Sequence, residues 1–171
     1  MTGLLQSVLR WDDRLRDIFN GLGSFLPGLC LRLILAFEYL EAGWSKYQGQ
    51  NWFGDIQAQF PFPFNVLPVD LSWALAMWFE LVGGVLLILG LGTRYVAVAL
   101  MVLTFVAAYA VHFPAEWDSL GDLWKGYAVI NQGLGNFKLP LLFFLMFLAL
   151  LGYGPGKLSL DHWIARRNGL A

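Results

Sequence analysis

The sequence predicts an all-α fold: an integral membrane bundle of four transmembrane helices, preceded by an interfacial amphipathic helix at the N-terminus. Three observations predict it. Hydrophobic residues make up 58% of the chain and charged residues only 13%, whereas soluble domains run at about 45–50% and about 25%. Long apolar stretches recur four times between residues 25 and 153, and spanning the hydrocarbon takes about 20 helical residues. Aromatics reach 16%, with eight Trp, which suits a chain anchored at two membrane–water interfaces. The net charge of -1 provides no basic footprint for nucleic acid. The expected partner is therefore the lipid bilayer.

Residues 1–24 carry Arg10, Asp12, Asp13, Arg14, Arg16 and Asp17, with no short apolar core leading to a cleavage site. They do not read as a signal peptide. Leu4, Leu5, Val8, Trp11, Leu15, Ile18 and Phe19 recur at helical spacing. This predicts a helix lying on the cytoplasmic face. Gly21, Gly23, Pro27 and Gly28 interrupt the pattern.

The first span is predicted from Phe25 to Tyr47, the second from Leu71 to Leu91, the third from Arg94 to Phe113 and the fourth from Phe137 to Tyr153. The turn Gly90-Leu-Gly-Thr93 is short enough to make the second and third spans an antiparallel hairpin. Gly83 and Gly84, with Ala97, Ala99, Ala107, Ala108 and Ala110, are small residues suited to close helix packing. The loops 48–70 and 114–136 are rich in Trp, Phe, Pro, Gly and Asn. Phe60-Pro-Phe-Pro-Phe64 is too proline-rich for a helix. It reads first as an interfacial anchor and, more sharply, as a lid. The resulting division is 1–24 as cytoplasmic interfacial helix, 25–153 as transmembrane domain and 154–171 as cytoplasmic tail.

Orientation follows from the basic residues. Arg10, Arg14, Arg16, Arg94, Lys157, Arg166 and Arg167 fall on one side, and Lys46, Lys125 and Lys138 on the other. Seven against three predicts both termini in the cytoplasm.

Ionisable groups inside spans are costly and functional by default. Glu38 and Glu41 lie three residues apart on the first span, Glu80 near the middle of the second. Lys46, His112 and Lys138 stand at the outer ends of spans one, three and four. By depth alone, three carboxylates and two lysines are expected to converge in the outer half of one polar cavity. Arg32, near the cytoplasmic end, is expected first to snorkel to the headgroups, and otherwise joins the polar-cavity candidates. Cys30 is the single cysteine, so an internal disulfide or dithiol pair is excluded. It reads as a small buried hydrophobe. Met77, Met101 and Met146 are scattered, and no His or Cys spacing forms a metal site. No nucleotide or phosphate loop is present.

Several of these segments resemble the DoxX family of bacterial four-helix membrane proteins. They are Arg32 with Glu41-Ala-Gly-Trp-Ser-Lys46, Glu80-Leu-Val-Gly-Gly84 with Gly90-Leu-Gly-Thr-Arg94, and Lys138 followed by an apolar span and Gly154-Pro-Gly-Lys-Leu-Ser-Leu-Asp161. Within that family, four further stretches resemble the HvfX branch: Gly49-Gln-Asn-Trp-Phe53, Phe60-Pro-Phe-Pro-Phe-Asn65, His112-Phe-Pro-Ala-Glu-Trp117 and Gly135-Asn-Phe-Lys-Leu-Pro140. The resemblance implies an inner-membrane location and an accessory role in maturation of copper-binding modified peptides, with the peptide or its maturation enzymes as partners. Other relatives look like subunits of quinone-linked oxidoreductases, which implies a quinone as the alternative cofactor. A third reading, from the residues themselves, is a small-molecule or proton-coupled carrier using Glu41, Glu80 and Lys46.

Overall fold

The computed structural model describes residues 2–170, with side chains described from Leu9 onward. Eight α-helices occur in this range, and no strand. Helix α1 (Thr2–Gly23) leads by a two-residue turn into α2 (Leu26–Gln48). The short α3 (Phe53–Ile56) and a 3-10 turn (Gln57–Gln59) lie in the first long loop. Helices α4 (Val69–Leu89) and α5 (Thr93–Ala107) form the hairpin, and α5 continues as a π-helical turn over Ala108–His112. The second loop holds α6 (Leu120–Lys125), followed by α7 (Lys138–Tyr153) and α8 (Leu160–Arg167).

Three helical stretches are long and apolar enough to cross a membrane: Leu9–Gln48, Val69–Leu89 and Thr93–His112. Helix α7 is apolar but has 16 residues, about 24 Å of rise, which is short of the hydrocarbon thickness. The expected fourth span is thus a shorter helix than its predecessors. From Leu9 to Leu22, the apolar residues of α1 are exposed. Leu4, Leu5 and Val8, predicted on its apolar face, lie outside the described side chains.

Helices α2, α4, α5 and α7 contact in a ring, α2 on α4, α4 on α5, α5 on α7 and α7 on α2. Leu35, Ala36, Tyr39, Leu87, Ala97, Leu100, Phe147 and Leu150 fill its centre. Tyr39 bonds the Thr104 hydroxyl there, and Thr104 donates to the Leu100 carbonyl at 2.5 Å. The outward surface keeps Phe37, Trp78, Val98, Phe105 and Leu145 at least half exposed. A soluble monomer rarely leaves apolar surface so continuous, and lipid is its natural solvent.

Small residues set the closest approaches. A β-carbon at Gly84 would sit 2.5 Å from Leu40 Cγ, and one at Gly43 2.9 Å from Leu81 Cγ and 3.0 Å from Glu80 Cβ. These two glycines bring α2 and α4 together. The hairpin turn is a Schellman motif. Leu91 N–H donates to the Leu86 carbonyl at 3.0 Å and Gly90 N–H to that of Leu87 at 3.2 Å. Gly90 has φ 63°, which only glycine adopts at low cost.

One end of the ring is tied by the terminal segments. Lys157 N–H meets the Ser24 carbonyl at 3.3 Å and Asp161 N–H the Gly90 carbonyl at 2.9 Å. The start of α2, the hairpin turn and the segment after α7 therefore share one end, and the two long loops the other.

Candidate functional site

The site is built on the contact of α2 with α4. Gly43 lies against the Glu80 β-carbon, and Lys46, three residues further along α2, projects from the same side. Its Nζ stands 2.8 Å from both Glu80 carboxylate oxygens. Glu80 is 3% exposed, and the Lys46 side chain 16%. The Glu80 carboxylate is thus held by a cation from a neighbouring helix.

The pair opens on a cavity of about 350 Å³ between α4, α5 with its π turn, and the first loop. Ser72, Ala76 and Glu80 supply one row at four-residue spacing along α4, with Leu75 and Phe79 beside them. Val102, Leu103, Val106, Ala107 and Val111 form the opposite wall. Trp52, Phe53, Phe60 and Phe64 form the remainder. Charged side chains in the lining are confined to Lys46 and Glu80. Phe79 and Val102 are also about half exposed on the outer surface, so the cavity opens sideways where lipid would lie.

The aromatic loop folds over the cavity. Phe53 meets Phe60 in a tilted contact and Trp73 edge-on, each with centroids 5.0 Å apart. Gln57 Nε2 donates to the Leu67 carbonyl at 2.8 Å and Asn51 Nδ2 to Asp70 Oδ1 at 2.9 Å. In the proline-alternating run, Phe60 and Phe64 line the cavity, while Phe62 is 81% exposed. The π turn, with Phe113 N–H donating to the Ala108 carbonyl at 2.9 Å, shapes the far wall. Such turns concentrate at functional sites.

The other predicted residues lie elsewhere. Glu38 and Glu41 are exposed on α2 and do not join Glu80. Depth placed them near it, but rotation about the helix did not. The inward stripe is Leu35, Ala36, Tyr39 and Gly43, and at about 100° per residue Glu38 and Glu41 turn away from it. His112 Nδ1 pairs with Asn136 Oδ1 at 2.8 Å, binding the π turn to the second loop. Lys138 Nζ, at the start of α7, sits 5.2 Å above the Tyr127 ring, a cation–π contact onto that loop. Neither lines the cavity. Cys30, expected to be buried, is exposed.

Arg32 corrects the snorkelling expectation. It is 0% exposed. Its Nη1 donates to the Leu87 and Ile88 carbonyls at 2.9 and 3.1 Å. Nε donates to the Pro155 carbonyl at 3.1 Å, and Nη2 to that of Leu158. Asp161 stands nearby and accepts from Gly92 N–H at 2.7 Å and Thr93 N–H at 2.8 Å. Arg32 thus supplies a donor to the orphan Ile88 carbonyl at the end of α4 and a second one to that of Leu87, and Asp161 satisfies orphan amides starting α5. Among the described residues no group of three or more His, Cys, Asp or Glu is placed to hold a metal.

Sequence reasoning passed over Ser72, and it named Asp161 only as the end of the DoxX-like segment from Gly154, with no role of its own. The four-residue row from Ser72 to Glu80 was the signal for the first. For Asp161 the family-like segment was a signal, but its partners, 68 and 69 residues away, were not legible.

The DoxX family model matches residues 28–113, the stretch that carries Arg32, Lys46, Glu80 and the cavity walls on α4 and α5. The chain belongs to the DoxX family. Another chain similar to it is an uncharacterized protein of Haemophilus influenzae, 44% identical over 147 residues, which cover 86% of this chain and 89% of the relative. No solved structure matches. Family membership and apolar helices together make this a membrane protein, and the DoxX match contains both members of the buried ion pair.

Proposed function

We propose that this DoxX protein binds a small hydrophobic molecule inside the bilayer and presents its polar end to the Lys46–Glu80 pair. The observation that carries the reading is the buried, doubly bonded ion pair in the wall of a cavity of about 350 Å³ that is otherwise almost wholly apolar. For stability alone, apolar side chains of similar volume usually do as well as a buried pair. Ligand pockets, by contrast, combine apolar walls with a few placed polar groups. Exchange or transfer of the bound molecule is the activity this arrangement supports.

The bilayer frame of the proposal is a bacterial inner membrane, crossed four times with both termini in the cytoplasm. The Lys/Arg asymmetry supports it, as does the clustering of Ser24, Gly90 and Lys157 at one end. In this frame α1 lies along the cytoplasmic surface, and the cavity opens toward the outer leaflet. Reporter fusions at Asn51, Gly92 and Gly121 test it. Periplasmic reporter activity at Gly92 overturns it.

Two finer readings share the site. A quinone-linked role matches its chemistry best, because a quinone is neutral, apolar and carbonyl-bearing. An accessory role in copper-binding peptide maturation rests on the loop motifs, two of which, around Trp52–Phe53 and Phe60–Phe64, contribute cavity walls. Deleting the gene and measuring mature peptide and copper sensitivity separates the two.

The binding reading is tested with Lys46→Met/Glu80→Gln. Removing both charges avoids leaving either one unpaired. Native mass spectrometry of protein extracted from membranes should show a bound small molecule on the wild type and its loss from the double variant. Equal occupancy in both proteins sinks the reading.

A further inference from the structure

The charges do not balance at the end of the bundle that holds the hairpin turn and the terminal segments. Helix α1 carries three Arg and three Asp between Arg10 and Asp17, and Arg16 bonds Asp12 at 2.6 Å. Arg32 has Asp161 beside it. Four exposed cations remain: Arg94, Lys157, Arg166 and Arg167. Among the described residues none of them is paired with a carboxylate. Arg94 stands in the first turn of α5, where the helix dipole is positive and favours an anion. A β-carbon at Gly154 would sit 3.4 Å from its Nη2, so Arg94 reaches the segment that holds Lys157.

Helix α8 occupies the same end, and Asp161 fixes its level. The Asp161 carboxylate accepts from Gly92 and Thr93 N–H, and its own N–H donates to the Gly90 carbonyl. The first turn of α8 therefore sits where the apolar stretch Thr93–His112 begins. Asp161, His162 and Ala165 are half-buried. Leu160, Trp163, Ile164 and Arg167 are exposed on the opposite side of the helix. Arg167 lies over the Trp163 ring, 5.6 Å from its centroid. Tyr95, next to Arg94, and Tyr153, next to Gly154, are exposed as well.

We propose that these four cations and the outer face of α8 form a docking surface for anionic phospholipid headgroups. Leu160, Trp163 and Ile164 enter the interfacial layer, and the basic groups meet phosphate oxygens. Two observations favour a membrane surface over an acidic protein. The surface starts at the level where the spans end, so headgroups already surround it. Apolar and basic side chains also share the exposed side of one short helix, the pattern of a helix lying in the interface, and exposed Trp and Tyr favour the same layer. Charge decides the lipid class. Unbalanced cations gain attraction from headgroups with net negative charge, and zwitterionic headgroups do not supply it. Helix α1, with its charges balanced, has no such preference. The surface shares no residue with the Lys46–Glu80 cavity. The inference depends neither on what that cavity binds nor on which side of the membrane this end faces.

The test uses the full chain in a neutral detergent, with binding read by native mass spectrometry. The probes are dioleoyl phosphatidylglycerol and dioleoyl phosphatidylcholine. Their acyl chains are identical, so the comparison isolates the headgroup. The wild type should bind phosphatidylglycerol about tenfold or more tightly, and the preference should shrink as salt is raised. Arg94→Gln/Lys157→Gln and Arg166→Gln/Arg167→Gln should each weaken phosphatidylglycerol by about five- to thirtyfold, the range for one or two basic groups at a membrane surface. Neither should change phosphatidylcholine. All four side chains are exposed, so the thermal midpoint of both double variants should stay at the wild-type value. Lys125→Gln, in the second long loop at the other end of the bundle, should leave the preference intact. Equal affinity of the wild type for the two lipids overturns the proposal and leaves the basic face to solvent or to an acidic protein. A preference that survives both double variants overturns it too. So does an equal loss in Lys125→Gln, which would mean that the lipid reads only net charge.

Discussion

At the end of the bundle where the terminal segments meet, Arg32 is enclosed by carbonyl oxygens of Leu87, Ile88, Pro155 and Leu158. In the other half, Lys46 and Glu80 bond each other but stand in the wall of a cavity, with the unpartnered hydroxyl of Ser72 two helical turns away. Both regions bury charge between α2 and α4. The first leaves no room for a ligand and uses its charge to hold chain segments that are far apart in sequence. The second keeps open space beside its charge. A closed, satisfied polar cluster is a structural device. One beside an apolar cavity is the better candidate for chemistry, although both arise from an ionisable residue on the same helix.

Mutations should separate the two. The largest loss of stability is expected at Arg32. Arg32→Met keeps much of the volume but strands carbonyls on α4 and on the segment after α7. It should cost about 3–5 kcal/mol, as for other broken buried charge networks, read as a fall in the thermal midpoint in detergent. A midpoint close to wild type would remove the structural half of the comparison. Glu80→Gln should come next, at about 1–3 kcal/mol, because it leaves Lys46 in a largely apolar wall without its counter-charge. Lys46→Met/Glu80→Gln should recover most of that loss. A double variant less stable than Glu80→Gln would mean that the pair is itself a stabilising clasp, like Arg32.

Asp161→Asn should cost about 0.5–2 kcal/mol by weakening the cap on α5 and the favourable charge at its helix N-terminus. Limited proteolysis should then cut first near the segment after α7. The smallest effect belongs to the exposed loop. Asp122 is bonded by Lys125 at 2.6 Å and by Ser119 at 2.7 Å. These contacts hold its carboxyl below the usual carboxylate range. A depressed folded-state value means the local stabilisation is present above the ordinary Asp range and lost as pH falls through the folded value. Protection factors of the amides around α6, taken relative to the intrinsic exchange rate at each pH, should therefore fall on acidification and become insensitive to pH in Asp122→Asn. The same protection profile at all pH values in the wild type would contradict this.

Composition and periodicity were enough to identify the apolar helices, the tight hairpin at Gly90 and the small residues where helices touch, because these are local properties or follow directly from lipid as solvent. Mid-helix Glu80 and nearby Lys46 were also legible as unusual groups. Their pairing required the rotation of α2 against α4, which is decided by Gly43 and Gly84 and by the packing of Tyr39 within the ring. The same rotation sent Glu38 and Glu41 outward, although their depth matched that of Glu80. Arg32 differed for another reason. Its partners are backbone carbonyls from segments 55 to 126 residues away, and every residue has a carbonyl, so no side-chain pattern announces them. The sequence by itself determined which residues seek lipid and which charges need a partner, since both follow from the solvation of individual side chains. Only the tertiary structure decided which charges met, because helix rotation and long-range closure depend on all the packed faces at once.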